Sequence, residues 1–228
     1  MLLASVPKVV TKAFPSFIWR IPEHEKVLYL TFDDGPIPET TPWILSVLKD
    51  FNAKATFFCV GDNVFKHSYL YDQLLNSGHS VGNHTFNHLN GWKTASGLYT
   101  ENIRKAEKYI HSNLFRPPHG LIKNTQFQAI KDDYNVIMWD VLSMDYDKKV
   151  SREQCLKNVT SNAKPGSIVV FHDSLKSWNN LEFVLPKTLS YFSDLGFKFA
   201  AIDINRQSHT KPSLVEWWIN YTIIRKRA

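Results

Sequence analysis

The chain has 228 residues, 43% hydrophobic and 14% aromatic, with 9 glycines and 11 prolines, a composition that excludes a disordered or collagen-like polymer and suits one packed domain. Its formal charge of +6 comes from scattered Lys and Arg, clustered only at Arg225-Lys226-Arg227, so no nucleic-acid partner is expected. Two cysteines, Cys59 in an apolar run and Cys155 in a helical pattern, favour buried thiols over a disulfide framework.

The stretch from Met1 to Trp19 is moderately apolar, but Lys8 and Lys12 interrupt it and Pro7 and Pro15 break it. We therefore expect neither a signal peptide nor a membrane span, and a cytoplasmic or membrane-peripheral location. Residues 1–25 read as an extension packing on a domain of residues 26–205. Residues 206–228 read as a basic, aromatic extension, whose Trp217, Trp218 and Tyr221 could touch a membrane surface.

Seven short apolar runs follow: Val27 to Phe32, Ala55 to Val60, Ser80 to Asn83, Leu114 to Arg116, Val136 to Val141, Ser167 to Phe171 and Lys198 to Ile202. They read as strands buried on both faces. Segments of helical period separate them. Ile44, Val47, Leu48 and Phe51 form one stripe, with Thr41 as the expected cap and Pro42 in the first turn. Ser151 and Gln154 form a capping box, and Leu185, Leu189, Phe192 and Leu195 mark the last helix, closed by Gly196. Strand and helix alternating this often predict a parallel α/β sheet closing into a barrel, with reactive groups at the carboxyl ends of the strands.

The first run ends in Thr31-Phe32-Asp33-Asp34-Gly35-Pro36. Asp-Gly before Pro is a turn signal, yet adjacent carboxylates after a buried strand can also divide duties, one binding a cation and one acting as base. The third runs into His84-Thr85-Phe86-Asn87-His88. These imidazoles share a face if the segment turns helically, and with Asp34 they make a two-imidazole, one-carboxylate set; as an isolated pair they could equally be solvated or core histidines. The fourth ends in Arg116-Pro117-Pro118-His119-Gly120, where Arg116 is either half of a surface ion pair or a bidentate partner for Asp33, and a backbone N–H near His119 could face an oxyanion. The sixth leads into His172-Asp173, a satisfied core histidine or a general acid facing Asp33. Trp92, Tyr99, Tyr146 and Trp178 fall in expected loops, where they could stack on sugar rings or pack in the core.

These motifs, together with Trp139-Asp140 and Val170-Phe171-His172-Asp173, resemble in type and order those of NodB-like polysaccharide deacetylases, carbohydrate esterase family 4, over roughly Lys26 to Asp203. The resemblance implies a single-domain, distorted (β/α)7 barrel that removes acetyl groups, usually from N-acetylglucosamine units of a glycan. It implies Asp33 as base, Asp34, His84 and His88 as ligands of one divalent metal ion, Arg116 as the orienter of Asp33, and His172 as acid. His119, Trp139 and Asp140 would lie on the substrate and oxyanion side. The ligand set points to zinc and also admits cobalt or nickel.

Two positions depart from the family pattern. His119 stands where the family commonly has Tyr, and Leu142 where many members have an Asp paired with the catalytic histidine. Asp140 or Asp145 could substitute; with neither, His172 would have a lowered pKa. The rival functions are a small-molecule amidase on the same scaffold and a catalytically silent glycan-binding domain. Oligomeric state is not readable.

Overall fold

A computed structural model describes residues 4–204; the expected extension of residues 206–228 lies outside them. Parallel strands β1 (Val27–Asp33), β2 (Thr56–Cys59), β3 (Ser80–Asn83), β4 (Leu114–Phe115), β5 (Asn135–Val136), β6 (Val141–Leu142) and β7 (Ile168–His172) curl in the order β5-β4-β3-β2-β1-β7-β6. A short β8 (Lys198–Phe199) pairs with the start of β1.

Alternation along β1 explains why both its faces are apolar. Leu28, Leu30 and Phe32 point to the helices, where Phe32 stacks between Phe57 and Phe171 at 5.0 and 5.8 Å. Tyr29 points into the barrel with Phe58, Ile137 and Ile168. Thr31 and Asp33 share that inner face by the same period of two.

The helices cover the outside. The expected stripe appears in α2 (Thr41–Asp50), where Ile44 and Leu48 are fully buried. Thr41 is not the cap, however; its hydroxyl donates to Asp173. Ser151 does cap α7 (Arg152–Thr160), accepting from the Gln154 N–H. The last helix, α8 (Trp178–Asp194), buries Leu185, Leu189 and Phe192. Its chain then turns through Gly196 at φ 78, a left-handed stop that glycine adopts without Cβ strain. No helix among the described residues is long and apolar enough to cross a membrane.

The run from Val136 to Val141 does not form one strand. Its start, β5, lies beside β4; its end, β6, lies beside β7; residues 137–140 cross between these two edges. An apolar run buried throughout looks the same in sequence whether it stays in one strand or changes edge. The N-terminal segment fills this opening and completes the barrel wall. Ile18 N–H donates to Val136 O and Ile18 O accepts from Met138 N–H, Leu142 N–H donates to Ala4 O, and Ile21 N–H donates to Gly166 O.

Candidate active site

Register brings the expected reactive groups together. Asp33 and His172 are directly paired positions at the ends of β1 and β7, so their side chains leave neighbouring strands on one face. His84 follows β3, which pairs with β2 through Cys59 and Asn83.

Asp33 is 4% exposed, and Arg116 is completely buried. The guanidinium donates to Asp33 Oδ1 and Thr31 Oγ1, each at 2.7 Å, and to the carbonyls of Ile137 and Met138 at 3.1 and 3.0 Å. Its central carbon Cζ lies 4.0 Å from the Phe58 ring centroid. Arg116 thus anchors the carboxylate and the chain crossing in one set of contacts, which a flexible ammonium could not span.

Beside this pair, one ligand atom from each of Asp34, His84 and His88 lies within 4.8 Å of the others. Asp34 Oδ1 is 3.1 Å from His88 Nε2 and 3.7 Å from His84 Nε2. This buried oxygen meets no hydrogen-bond donor in bonding geometry, as expected of an atom kept for a cation. His84 Nδ1 is 2.7 Å from the Arg116 carbonyl; a carbonyl only accepts, so Nδ1 carries the proton and Nε2 is left with a free lone pair. Burial holds the His84 pKa down at about 4, keeping the ring neutral. Burial alone would raise Asp34, but His88, His172 and His84 hold it well below the ordinary carboxylate range. Two imidazole nitrogens and a carboxylate oxygen converging at this spacing fit a divalent cation with coordination positions left open.

The histidine pair achieves this without the helical turn expected of it. Residues 84–90 form an irregular loop, with Thr85 at φ 62 and His88 at φ 54. Asn83 Oδ1 accepts from Thr85 N–H, and Asn102 Oδ1 accepts from Phe86 and Asn87 N–H. These side chains replace the backbone bonds a helix would have supplied. Sequence reading passed over both asparagines, which in sequence look like any loop polar residue.

His172 does have a carboxylate partner. Asp145 Oδ1 lies 2.8 Å from His172 Nδ1, and Asp145 Oδ2 accepts the His172 backbone N–H at 2.8 Å. Ser143 Oγ and Asn180 Nδ2 hold Asp145 in place. Burial works against the charged ring, but Asp145 more than offsets it and the pKa rises to about 9. Of the alternatives left open by Leu142, the structure takes Asp145, three positions further along, and not Asp140 or an unpartnered His172.

Asp140 lies elsewhere. Its oxygens accept from Ile168 N–H at the start of β7, from Ser167 Oγ and from Arg20. It serves the closure of the barrel and is not brought to the substrate side. Trp139 packs behind the His119-Gly120 turn, where a Cβ on Gly120 would come within 2.7 Å of its ring. His119 is exposed at φ 61, its ring 4.8 Å from that of His88.

A family model described as polysaccharide deacetylase matches residues 20–136, more than half of the chain. The chain belongs to the polysaccharide deacetylase family. It is 33% identical over 199 residues to a peptidoglycan-N-acetylglucosamine deacetylase of Bacillus cereus, a match covering 84% of this chain and 93% of the relative. It is 31% identical over 162 residues to a chitooligosaccharide deacetylase of Azorhizobium caulinodans, covering 68% and 77%. A crystal structure of a peptidoglycan N-acetylglucosamine deacetylase superposes with a TM-score of 0.75 at 30% identity, covering 86% of this chain and 95% of that one. Other curated relatives are longer, and the deacetylase chain spans 58% and 44% of two of them.

Of the four aromatic residues that could either stack on sugars or pack within the protein, two pack within it and lie in helices rather than in the expected loops. Tyr99 lies in helix α5 (Ser96–Glu107), fully buried against Phe115. Trp178 opens α8 and packs edge-on against Trp43 at 5.0 Å. Trp92 is 60% exposed, and Tyr146 packs edge-on against His172 at 4.7 Å. Helical periodicity around Tyr99 was the signal that should have placed it inside the deacetylase core.

Asp173 was named in sequence without a role. Its buried carboxylate accepts from the hydroxyls of Thr40 and Thr41, and its N–H donates to Asp33 O. A Cβ on Gly35 would lie 2.0 Å from Asp173 Oδ2. Gly35 therefore lets the loop bearing Asp33 and Asp34 lie against Asp173. Gly35→Ala is expected to destabilise the deacetylase by about 1–3 kcal/mol and to weaken the affinity of the Asp34, His84 and His88 cluster for a divalent cation. Urea unfolding and zinc titration check this; two unchanged values would contradict it.

Proposed function

We propose that the chain removes the acetyl group from N-acetylglucosamine units of a glycan, with Asp33 as general base, His172 as general acid and one divalent cation, zinc by ligand preference, held by Asp34, His84 and His88. The observation that carries this is the pairing on either side of the ligand cluster: Asp33 with Arg116, His172 with Asp145. One group is a carboxylate aimed by a guanidinium to take a proton, and the other is held as a cation that can give one. The peptidoglycan and chitooligosaccharide relatives support the glycan class.

When bound, a divalent cation supplies Lewis acidity that polarises a carbonyl and brings the pKa of water down to about 7. Asp33, aimed by Arg116, takes the proton of the attacking water. The backbone N–H at His119 meets the oxyanion that develops on the acetyl oxygen, a contact worth about 3 kcal/mol in such sites. His172, its Nδ1–H engaged by Asp145, presents Nε2–H to the departing nitrogen. The products are free amine and acetate.

Acetate release from a panel of chitin oligomers, peptidoglycan, acetylated xylan and small amides, each with and without a chelator, tests the proposal. We expect release from N-acetylglucosamine glycans that vanishes with the chelator and returns with zinc. Release confined to small amides would overturn the substrate, and release indifferent to chelation would overturn the metal.

The Asp145 pair gives a pH dependence. The acid must be protonated, so activity falls as pH rises through about 9. Asp145→Asn leaves burial opposed only by the more weakly acting Asp34 and Asp33, and the alkaline limb of kcat/KM should move to lower pH; a limb that stays put would remove Asp145 from this role. The same pair raises the folded-state pKa of His172 from 6.5 to about 9. Its contribution to stability is therefore complete below pH 6.5 and lost as pH rises through about 9.

A further inference from the structure

The two loops that carry the ligand cluster are held from one place. Asp34 follows β1, His84 and His88 follow β3, and helix α3 (Gly61–Lys66) follows β2, the strand between them. Towards the first loop, the Asn63 side-chain amide donates to the Asp34 carbonyl at 2.7 Å, and Val60 N–H, just ahead of the helix, donates to Gly35 O at 2.9 Å. Towards the second, Gly61 N–H donates to Thr85 O at 2.9 Å and Asp62 N–H to Phe86 O at 3.0 Å. Residues 60–63 thus fix consecutive carbonyls in both loops.

Three of these bonds use backbone N–H groups. The close approach they need is allowed by Gly61, where a Cβ would come within 2.8 Å of the Phe86 ring and 3.0 Å of the Ala106 side chain. The fourth bond depends on a side chain. Asp34 stands at φ 80, a left-handed conformation that costs free energy in any residue with a Cβ. Relaxing it would turn the Asp34 Cα–Cβ direction and carry Oδ1 away from its place 3.1 Å from His88 Nε2 and 3.7 Å from His84 Nε2. The Asn63 amide opposes that relaxation through the Asp34 main chain, not through the ligand oxygen.

We infer that Asn63 is a positioning residue for the metal centre: its amide holds Asp34 in the left-handed conformation that aims Oδ1 at the two imidazoles, so the ligand atoms are arranged before a cation arrives. Groups that orient a ligand in this way contribute about 10–100-fold to metal affinity, here by lowering the ordering cost of binding. The inference rests on the reading of Asp34, His84 and His88 as cation ligands and deepens it.

Zinc affinity of the metal-free protein, measured by competition with a chromophoric chelator, tests it, alongside thermal unfolding of the same metal-free samples. Asn63 is half-buried, so Asn63→Ala removes the donor without hollowing the core. Val64→Ala is the control. Val64 lies on the same helix, 2% exposed in the main core, and makes no hydrogen bond to either loop among the described residues. All samples are titrated well below their unfolding midpoints. We expect Asn63→Ala to raise the zinc Kd about tenfold or more. Val64→Ala should lower Tm at least as far while its Kd stays within about threefold of wild type, because a cavity under the helix leaves the amide in place. An Asn63→Ala Kd close to wild type overturns the inference. So does an equal loss of affinity in Val64→Ala, which would assign the effect to the stability of the helix. Either result leaves the ligand reading intact. A wild-type protein that binds no zinc overturns that reading, and the inference with it.

Discussion

Asp33→Asn is expected to lower kcat by about 10²–10⁴-fold, the range for loss of a general base, while the affinity for a divalent cation stays close to wild type. The amide oxygen still accepts from Arg116 at the place where Asp33 Oδ1 sits 2.7 Å from the guanidinium, so the geometry survives. What goes is the basic oxygen. The three ligand atoms of Asp34, His84 and His88 are untouched. Stability should fall, because buried Arg116 loses its counter-charge, by less than the ~3–5 kcal/mol that full removal of a buried partner costs. Acetate release, zinc titration and thermal unfolding together check this. Turnover within threefold of wild type would remove Asp33 from the base role.

Arg116→Met is expected to have the largest effect on the fold itself. It would leave the Asp33 carboxylate buried without a partner, a cost of about 3–5 kcal/mol. The carbonyls of Ile137 and Met138 would also lose their donors, at about 1–3 kcal/mol each if water cannot reach them. Against a typical domain stability of about 5–15 kcal/mol, the variant should be marginal or unfolded at physiological temperature. Arg116→Lys keeps a cation but cannot reach four acceptors at once, so it should fall between. Denaturant unfolding of the two variants measures the order. A stable, well-folded Arg116→Met would show that the guanidinium only orients Asp33 and does not hold the 137–140 crossing.

The site was legible where one short segment carries a whole feature. Asp33 and Asp34 end an apolar run, and so do His84 and His172; in a parallel sheet those ends meet at one mouth, which turns scattered motifs into a site. Capping by Ser151 and the stop at Gly196 are equally local, each set by contacts within one turn.

Other features depended on partners distant in the chain. That Asp145 rather than Leu142 or Asp140 supports His172 follows from a loop held by Ser143 and Asn180, not from spacing. The burial of Tyr99 and the splitting of the Val136 to Val141 run depend on which sheet edge each segment meets. Apolar periodicity reports how much of a segment is buried, not against what.

The sequence alone determined the parallel α/β class, the order of the reactive residues and the types of group at each strand end, because propensity and alternation act within a few residues. Only the tertiary structure decided the barrel closure by the N-terminal segment, the bare Nε2 of His84, the charge on His172 and the burial of Arg116. Each is an interaction across the barrel, where a group's charge and freedom are set by whichever neighbours the register brings within about 3 Å.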